Sequence, residues 1–444
     1  MHVVERFAEF AQRMRAQPLP PEVLHHAKRV VIDWYAAALP GARVAPATLL
    51  ERAFADELDR GEARLVAGRR ATIRAAALIN GTAAHTVEVD DIFREGIYHP
   101  GAPTIPAALA LAQARGAAGE AFLRGVIVGY EISTRIGAAM GRSHYRYWHN
   151  TGTIGCFGAA AAAAELAGLD AARFAHALAT VATFAAGLQQ AFRMDSMSKP
   201  LHAGRAAEAG VTAALAAGEG VIGSLDVIEG EAGFGRAMGG DPDWARALET
   251  LGRDFHITRM TVKNHACCGH AFAAIDGALA LKASMGVAAG EIARVRVGGY
   301  RATLEVAGIA DPATPAEARF STPYLVATAL THGSVRLAAF EPARLADPAT
   351  RSLMRRVEVA IDPELDATFP RQRAARVTIE TRDGRAETLL QPTRKGDPDA
   401  PLSDAELEAK YLELAVPVIG EAPARALLAC LWRLEREPSL DLAS

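Results

Sequence analysis

The sequence predicts a mainly α protein. A large all-helical domain is expected from residues 1–260 and 402–444, with a smaller α+β domain over 261–401. Three observations carry this. The first 260 residues are alanine-rich, with apolar positions at helical spacing and no run of alternating β-branched residues. Beyond residue 285 the period becomes two, in ARVRVGGY (293–300), RVEVAI (356–361) and RVTIET (376–381). A polar Pro/Gly stretch at 393–401 then precedes Ser403-Asp404-Ala405-Glu406, a capping box that reopens helical structure and returns the tail to the first domain. A chain of 444 residues is long enough for two or three domains.

Taken in order, helices are expected over 21–39, 72–90, 105–115, 121–140, 153–167, 171–184 and 201–217. Thr153 follows Gly152 at one start, Gly168 can end that helix, and Asp170 can cap the next. So many alanines suit helices packed closely on one another. In the second domain, 263–284 and 322–331 read as helices interleaved with the strands. Asp383-Gly384 reads as a hairpin turn between two period-two runs.

Composition excludes several classes. Lys+Arg is 48 and Asp+Glu is 51, a net charge of −3, which makes no electrostatic case for nucleic acid or an anionic membrane. The apolar run at 153–164 ends at Glu165, well short of the ~20 residues a membrane span needs. Four cysteines make no disulfide framework and fit a reducing cytoplasm, and Glu5, Glu9 and Glu22 interrupt any secretory apolar region. There is no GxGxxG after a strand, no Walker A loop, no HExxH, no GxSxG and no CxxC. No cofactor is expected, and clustered His, Lys and Cys point to acid–base chemistry on a small substrate.

Four constellations could carry that chemistry. The first is HTVEVDD (85–91) followed by His99-Pro100-Gly101. Glu88, Asp90 and Asp91 repel one another unless they cap something or face a cation, the alternative being a solvated face. Pro100 and Gly101 place His99 on a constrained turn. The second is Trp148-His149-Asn150-Thr151-Gly152-Thr153, where backbone N–H groups at a helix start favour a carboxylate, or where an ordinary cap sits. The third is residues 194–202, with Pro200 in the first helical position and Lys199 just before it. The helix dipole and partial burial would depress the Lys199 ammonium toward a base near neutral pH, or leave it a carboxylate clamp. A plain surface lysine is disfavoured by Asp195, His202 and Arg205 nearby. The fourth is KNHACCGH (263–270). Adjacent cysteines cannot easily share one tetrahedral metal, so no metal is expected there. A reactive thiol with a depressed pKa beside His265 and His270 stands against a buried cysteine pair.

Together these motifs resemble the MmgE/PrpD family over essentially the whole chain. The resemblance rests on HTVEVDD…HPG, WHNTGTIGCFGAAAAAAELAGL, SKPLHAGRAAEAGVTAALAA, AAID at 273–276, YLVATALTHGSV from Tyr324, and GDPDAPLSDAELEAKY. It implies a helical domain, a smaller α+β lid domain, a homodimer, and a site between domains without metal or organic cofactor. Members include 2-methylcitrate dehydratase, cis-aconitate decarboxylase and iminodisuccinate epimerase. Residues implicated in the decarboxylase fall on His99, His149, Lys199 and Tyr324. Glu88, Ile92 and Phe272 replace an aspartate, a threonine and a lid histidine. Where many relatives read like KPYPxCRxxH, KNHACCGHAF looks more like the epimerase branch.

The leading expectation is therefore an epimerase that moves a proton next to a carboxylate on an imino- or amino-dicarboxylate. Lys199, Cys268 and His99 would be catalytic, with Cys267 the other candidate thiol. His149, Tyr324, His202, His265 and Asp90 would bind substrate. The alternatives are a hydro-lyase of the 2-methylcitrate dehydratase type, or related decarboxylase, on a tricarboxylate, and a non-catalytic binding protein. The expected partners are a small di- or tricarboxylate and a second copy of the chain, in the cytoplasm, with no nucleic acid and no membrane.

Overall fold

A computed structural model describes residues 1–192, 196–369 and 371–440. Its contacts divide the chain into two units, Met1–Val262 with the segment from Ser403 onward, and Lys263–Leu402.

The first unit opens with α1 (Val3–Arg15), α2 (Pro21–Gly41), α3 (Ala47–Ala53), α4 (Ile73–Thr86), α5 (Gly101–Arg115) and α6 (Gly119–Tyr145). It continues with α7 (Asn150–Thr153), α8 (Gly155–Leu166), α9 (Ala171–Ala182), α10 (Ser198–Gly218), α11 (Phe234–Gly239) and α12 (Trp244–Glu249). Local chemistry sets several starts. The Thr72 hydroxyl accepts from Ala75 N–H, and the Asp170 carboxylate accepts from Arg173 N–H at 2.9 Å. The expected 153–167 helix is split into α7 and α8. The helix expected to reach residue 90 ends at Thr86, because Glu88 adopts φ +62° and leaves the helical ladder.

This unit is not all-helical. A small antiparallel hairpin, β1 (Leu58–Arg64) with β2 (Arg70–Ala71), edges it. The β1 sequence LDRGEAR is polar and mostly exposed, so it carries no apolar alternation that a sequence reading could detect.

Small residues let the helices meet at backbone distance. A Cβ on Gly204 of α10 would lie 2.2 Å from the Leu78 carbonyl oxygen of α4. Ala159–Ala164 of α8 are fully buried, and α8 packs on α5, α6, α9 and α10. The alanine faces are thus covered within one chain and give no separate support to the expected homodimer.

In the second unit, α13 (Phe272–Met285) leads to β3 (Ile292–Gly299). Five helices follow: α14 (Arg301–Ala307), α15 (Pro315–Ala318), α16 (Thr322–His332), α17 (Pro342–Leu345) and α18 (Pro348–Met354). They connect β3 to its parallel neighbour β4 (Val357–Ile361). After α19 (Pro363–Thr368), β5 (Ala375–Thr381) and β6 (Ala386–Gln391) form an antiparallel hairpin. Its turn contains Asp383-Gly384, with Gly384 at φ +89°. The sheet order is β4-β3-β5-β6. Along β5, Ala375, Val377, Ile379 and Thr381 are buried, and α13 packs on this strand.

The helix expected from residue 263 begins only at Phe272. Upstream, Ala266 N–H donates to Val335 C=O and Cys268 N–H to Arg319 C=O, so the backbone is committed elsewhere. The chain then returns to the first unit through α20 (Asp404–Ile419) and α21 (Glu421–Trp432). The Ser403–Glu406 capping box is formed, and α20 packs on α2. Among the described residues, no helix is long and apolar enough to cross a membrane.

The α4–α10 contact has no room for a methyl group. Gly204→Ala is expected to destabilise the fold by about 1–3 kcal/mol. The check is a lowered urea midpoint at unchanged slope.

Candidate functional site

The segment between α4 and α5 carries three carboxylates in four residues, and each is drawn to a different helix. Glu88 forms an ion pair with Lys199 in the first turn of α10. Asp90 Oδ2 accepts from His85 Nδ1 at 2.7 Å, and His99 Nδ1 lies 3.1 Å from the same oxygen. Asp91 accepts from Gly101 N–H at 3.1 Å and from the Tyr130 hydroxyl at 2.8 Å. Between them, the Val89 carbonyl accepts from Lys410 of α20 at 2.7 Å, and Lys410 also pairs with buried Asp33. Thr151 Oγ1 accepts from His99 N–H at 3.3 Å.

Neighbouring carboxylates thereby acquire opposite protonation. Burial alone would raise Asp90, but His99 and His85 outweigh it and hold the carboxyl well below its ordinary range. Asp91 is pushed up to about 8, by burial first and then by the charge of Asp33. At neutral pH Asp90 is ionised and Asp91 largely protonated.

Imidazoles gather around Asp90. The His85 ring stacks on His149 at 5.3 Å between centroids and meets His99 at 4.7 Å. His149 Nδ1 lies 3.0 Å from His202 Nδ1, so one donates and the other accepts. Burial, followed by the charges of His85 and Lys199, lowers both His149 and His202, leaving them neutral at neutral pH. His202 also lines a cavity of about 560 Å³, together with Phe184, Leu188, Ser196, Ser198 and Arg205.

Two expectations about Lys199 change. It lies inside the first turn of α10, and its pKa is raised: burial works to lower it, but Glu88 and then Asp90 outweigh burial. An ammonium held this way is a charged group and not a base near neutral pH. Arg205 pairs with Glu208, and Asp195 lies outside the described residues.

The second unit holds the other predicted residues. His265 Nε2 contacts Asp276 Oδ1 at 2.8 Å, and the second Asp276 oxygen accepts from Lys395 N–H at 2.7 Å. Cys267 is buried, and burial followed by the neighbouring Cys268 pushes its thiol well above the ordinary value, opposite to the expected depression. Cys268 is half-buried. His270 contacts the Tyr300 hydroxyl at 2.9 Å and is lowered to about 4 by burial and then by Arg373 and Arg394. It therefore supplies no positive charge to a thiolate. Tyr324 is fully buried and donates to the Ala339 carbonyl, so its hydroxyl is already engaged. Phe272 is buried beneath Arg394.

Among the described residues, metal-capable atoms converge on His85, Asp90 and His99, all within 4.8 Å. His85 Nδ1 is hydrogen-bonded to Asp90 Oδ2, whereas His99 Nδ1 lies at an ion-pair distance of 3.1 Å from the same oxygen without hydrogen-bond alignment.

The chain matches known proteins in both units. Residues 5–247 match the MmgE/PrpD N-terminal domain and residues 265–436 the MmgE/PrpD C-terminal domain. The chain belongs to the MmgE/PrpD family. Similar members include the cis-aconitate decarboxylase-like protein oryM of Aspergillus oryzae, 28% identical over 94% of this chain and 91% of that protein. Human cis-aconitate decarboxylase is 24% identical over 98% of this chain and 92% of its own. The enzyme of that name from Aspergillus terreus strain NIH 2624 is 25% identical over 98% and 93%. Within this family member, sequence reasoning did not assign roles to His85, Asp276 or Lys410. All three sit inside or beside the motifs that carry the resemblance, but their contacts are visible only in the fold.

Two predictions follow from the charges. Asp91 binds a proton more tightly folded than unfolded, so its contribution to stability is fully present below about pH 4 and is lost as pH rises toward about 8. The slope is at most about 1.4 kcal/mol per pH unit. Asp91→Asn keeps an acceptor without the charge, so its melting temperature should fall less than wild type between pH 5 and 9. Glu88→Gln removes the group that raises Lys199. Acetylation of Lys199 at pH 7.5, followed by peptide mass spectrometry, should become several-fold faster.

Proposed function

We propose that the protein is a lyase that transfers a proton at a carbon next to a carboxylate of a small tricarboxylate. The observation that carries this is His99, backed by ionised Asp90, in one cluster with charged Lys199 and neutral His149 and His202. With Nδ1 turned to Asp90, His99 keeps Nε2 as the acid–base atom. Lys199 and the imidazole N–H donors suit substrate carboxylates and the enolate-like charge that develops as the bond to carbon breaks. No step calls on a metal or an organic cofactor.

The relatives named as cis-aconitate decarboxylases support a lyase over the epimerase expected first. The reversed charge state of Lys199 also removes one of the two bases that the epimerase needed. Glu88, Ile92 and Phe272 stand where the resemblance led us to expect other residues, so a hydro-lyase of the 2-methylcitrate dehydratase type is favoured over decarboxylation of cis-aconitate itself. One observation keeps an epimerase as the second reading: His265, oriented by Asp276, is a second carboxylate-backed imidazole. The expected cytoplasmic homodimer rests on cysteine usage and the family resemblance.

The purified protein should be incubated in D₂O with 2-methylcitrate, cis-aconitate and iminodisuccinate, followed by NMR and mass spectrometry. Loss of water or CO₂ from a tricarboxylate is the expected result. Deuterium incorporation with inversion and no loss of mass would instead identify an epimerase, and no change with any compound would favour a binding protein. His99→Gln should lower turnover by roughly 10²–10⁴-fold.

A further inference from the structure

Asp90 has two carboxylate oxygens and an unequal set of partners. Oδ2 accepts a hydrogen bond from His85 at 2.7 Å and has His99 Nδ1 at an ion-pair distance of 3.1 Å without hydrogen-bond alignment, whereas Oδ1 is buried without a hydrogen-bond partner. An ionised carboxylate only accepts, so His85 Nδ1 carries the proton in this contact. In the neutral ring His85 Nε2 is then a lone pair, and it too is buried without a partner. The His85 side chain is fully buried at the end of α4, with its ring stacked on His149. A histidine placed there solely to fill space would leave one ring nitrogen orphaned at a cost of about 1–3 kcal/mol with no return, and an apolar side chain would avoid that cost.

We propose that His85 is a positioning residue: its Nδ1–H fixes the Asp90 carboxylate so that Oδ2 also faces His99 Nδ1, which keeps His99 Nε2 unprotonated and available to the substrate. The three side chains form an imidazole–carboxylate–imidazole relay. His85 touches neither substrate nor the reacting atoms; it acts through Asp90 on His99. The hydrogen bond is the one to His85, and the looser contact is to the catalytic imidazole, which can align into a hydrogen bond when that ring takes up a proton. This deepens the lyase reading and rests on it for the role of His99, while the arrangement itself can be tested without substrate. The titratable and charged groups around His99 are Asp90, His85 and His149, with His202, Lys199 and Glu88 beyond them.

The test uses the full-length protein labelled with ¹⁵N-histidine, with the His99 signals assigned by their loss in His99→Gln. Wild type should show His99 as the Nδ1–H tautomer at pH 7.5. In His85→Leu the carboxylate loses its anchor, and His99 should shift toward a mixture with the Nε2–H tautomer. The same variant should lower kcat on the turned-over tricarboxylate by roughly 10-fold or more while KM changes less than 3-fold, a split that general loss of structure does not produce. His85→Asn places an amide N–H where Nδ1–H was and should restore the His99 tautomer toward wild type. This conservative variant keeps the test decisive if His85→Leu folds poorly.

An unchanged His99 tautomer in folded His85→Leu would overturn the proposal, as would a failure of His85→Asn to restore it. So would a stoichiometric divalent ion in the purified protein that is lost in His85→Leu. If the tautomer shifts as expected while no carboxylate is turned over, the relay stands and the lyase reading falls.

Discussion

The first unit is organised around one electrostatic problem: Glu88, Asp90 and Asp91 cannot share a small space as three free anions. Two like charges roughly 5 Å apart at an effective dielectric of about 20 repel by about 3 kcal/mol. The structure relieves this by sending each side chain to a different helix. Glu88 reaches Lys199 of α10, Asp90 reaches His85 of α4, and Asp91 reaches Tyr130 of α6 while holding the first N–H of α5. Lys410 of α20 takes the intervening carbonyl of Val89. Five helices therefore meet on one short segment, and its left-handed residue, Glu88, adopts a conformation that these partners impose.

Close helix packing makes this convergence possible. The contact between α4 and α10, set by Gly204 against the Leu78 carbonyl, brings Lys199 and His202 alongside the segment that follows α4. The buried alanines of α8 hold the partner helices α5 and α6. His99 is carried on the turn just before α5, and His149 immediately precedes α7. Packing and chemistry are thus linked through backbone distances, and a single added methyl group acts on both.

Much of this was legible where the cause is local. The Asp170 cap, the Ser403 capping box and the turn at Asp383-Gly384 each depend on residues within a few positions, and each formed as expected. The polar β1 strand carried no pattern to read, and 263–271 lost its helix to backbone bonds with residues 319 and 335. In the site, residue identities were legible and their charge states were not. The helix dipole and burial both argue for a depressed Lys199, but Glu88, 111 positions away, decides otherwise. Lys410 lies 321 positions from the carbonyl it holds. Of the two candidate thiols Cys267 is raised by burial, and burial also keeps His270 neutral, although neither effect is visible in the spacing of KNHACCGH.

The resulting charge pattern also constrains how a substrate could be handled. Lys199 is paired with Glu88, Glu208 is shared between Arg205 and Arg74, and the imidazoles His149 and His202 are neutral. Lys199 therefore brings little excess positive charge for an anion in its ground state, while the two arginines on Glu208 leave one positive charge over. On the lyase reading the cluster offers fixed N–H donors and His99 as the acid–base imidazole. On that reading the ionised Asp90 beside His99 favours the imidazolium that forms when His99 accepts a proton. On the lyase reading that attraction acts on the charge-developed state, which catalysis requires and simple capture of a carboxylate does not.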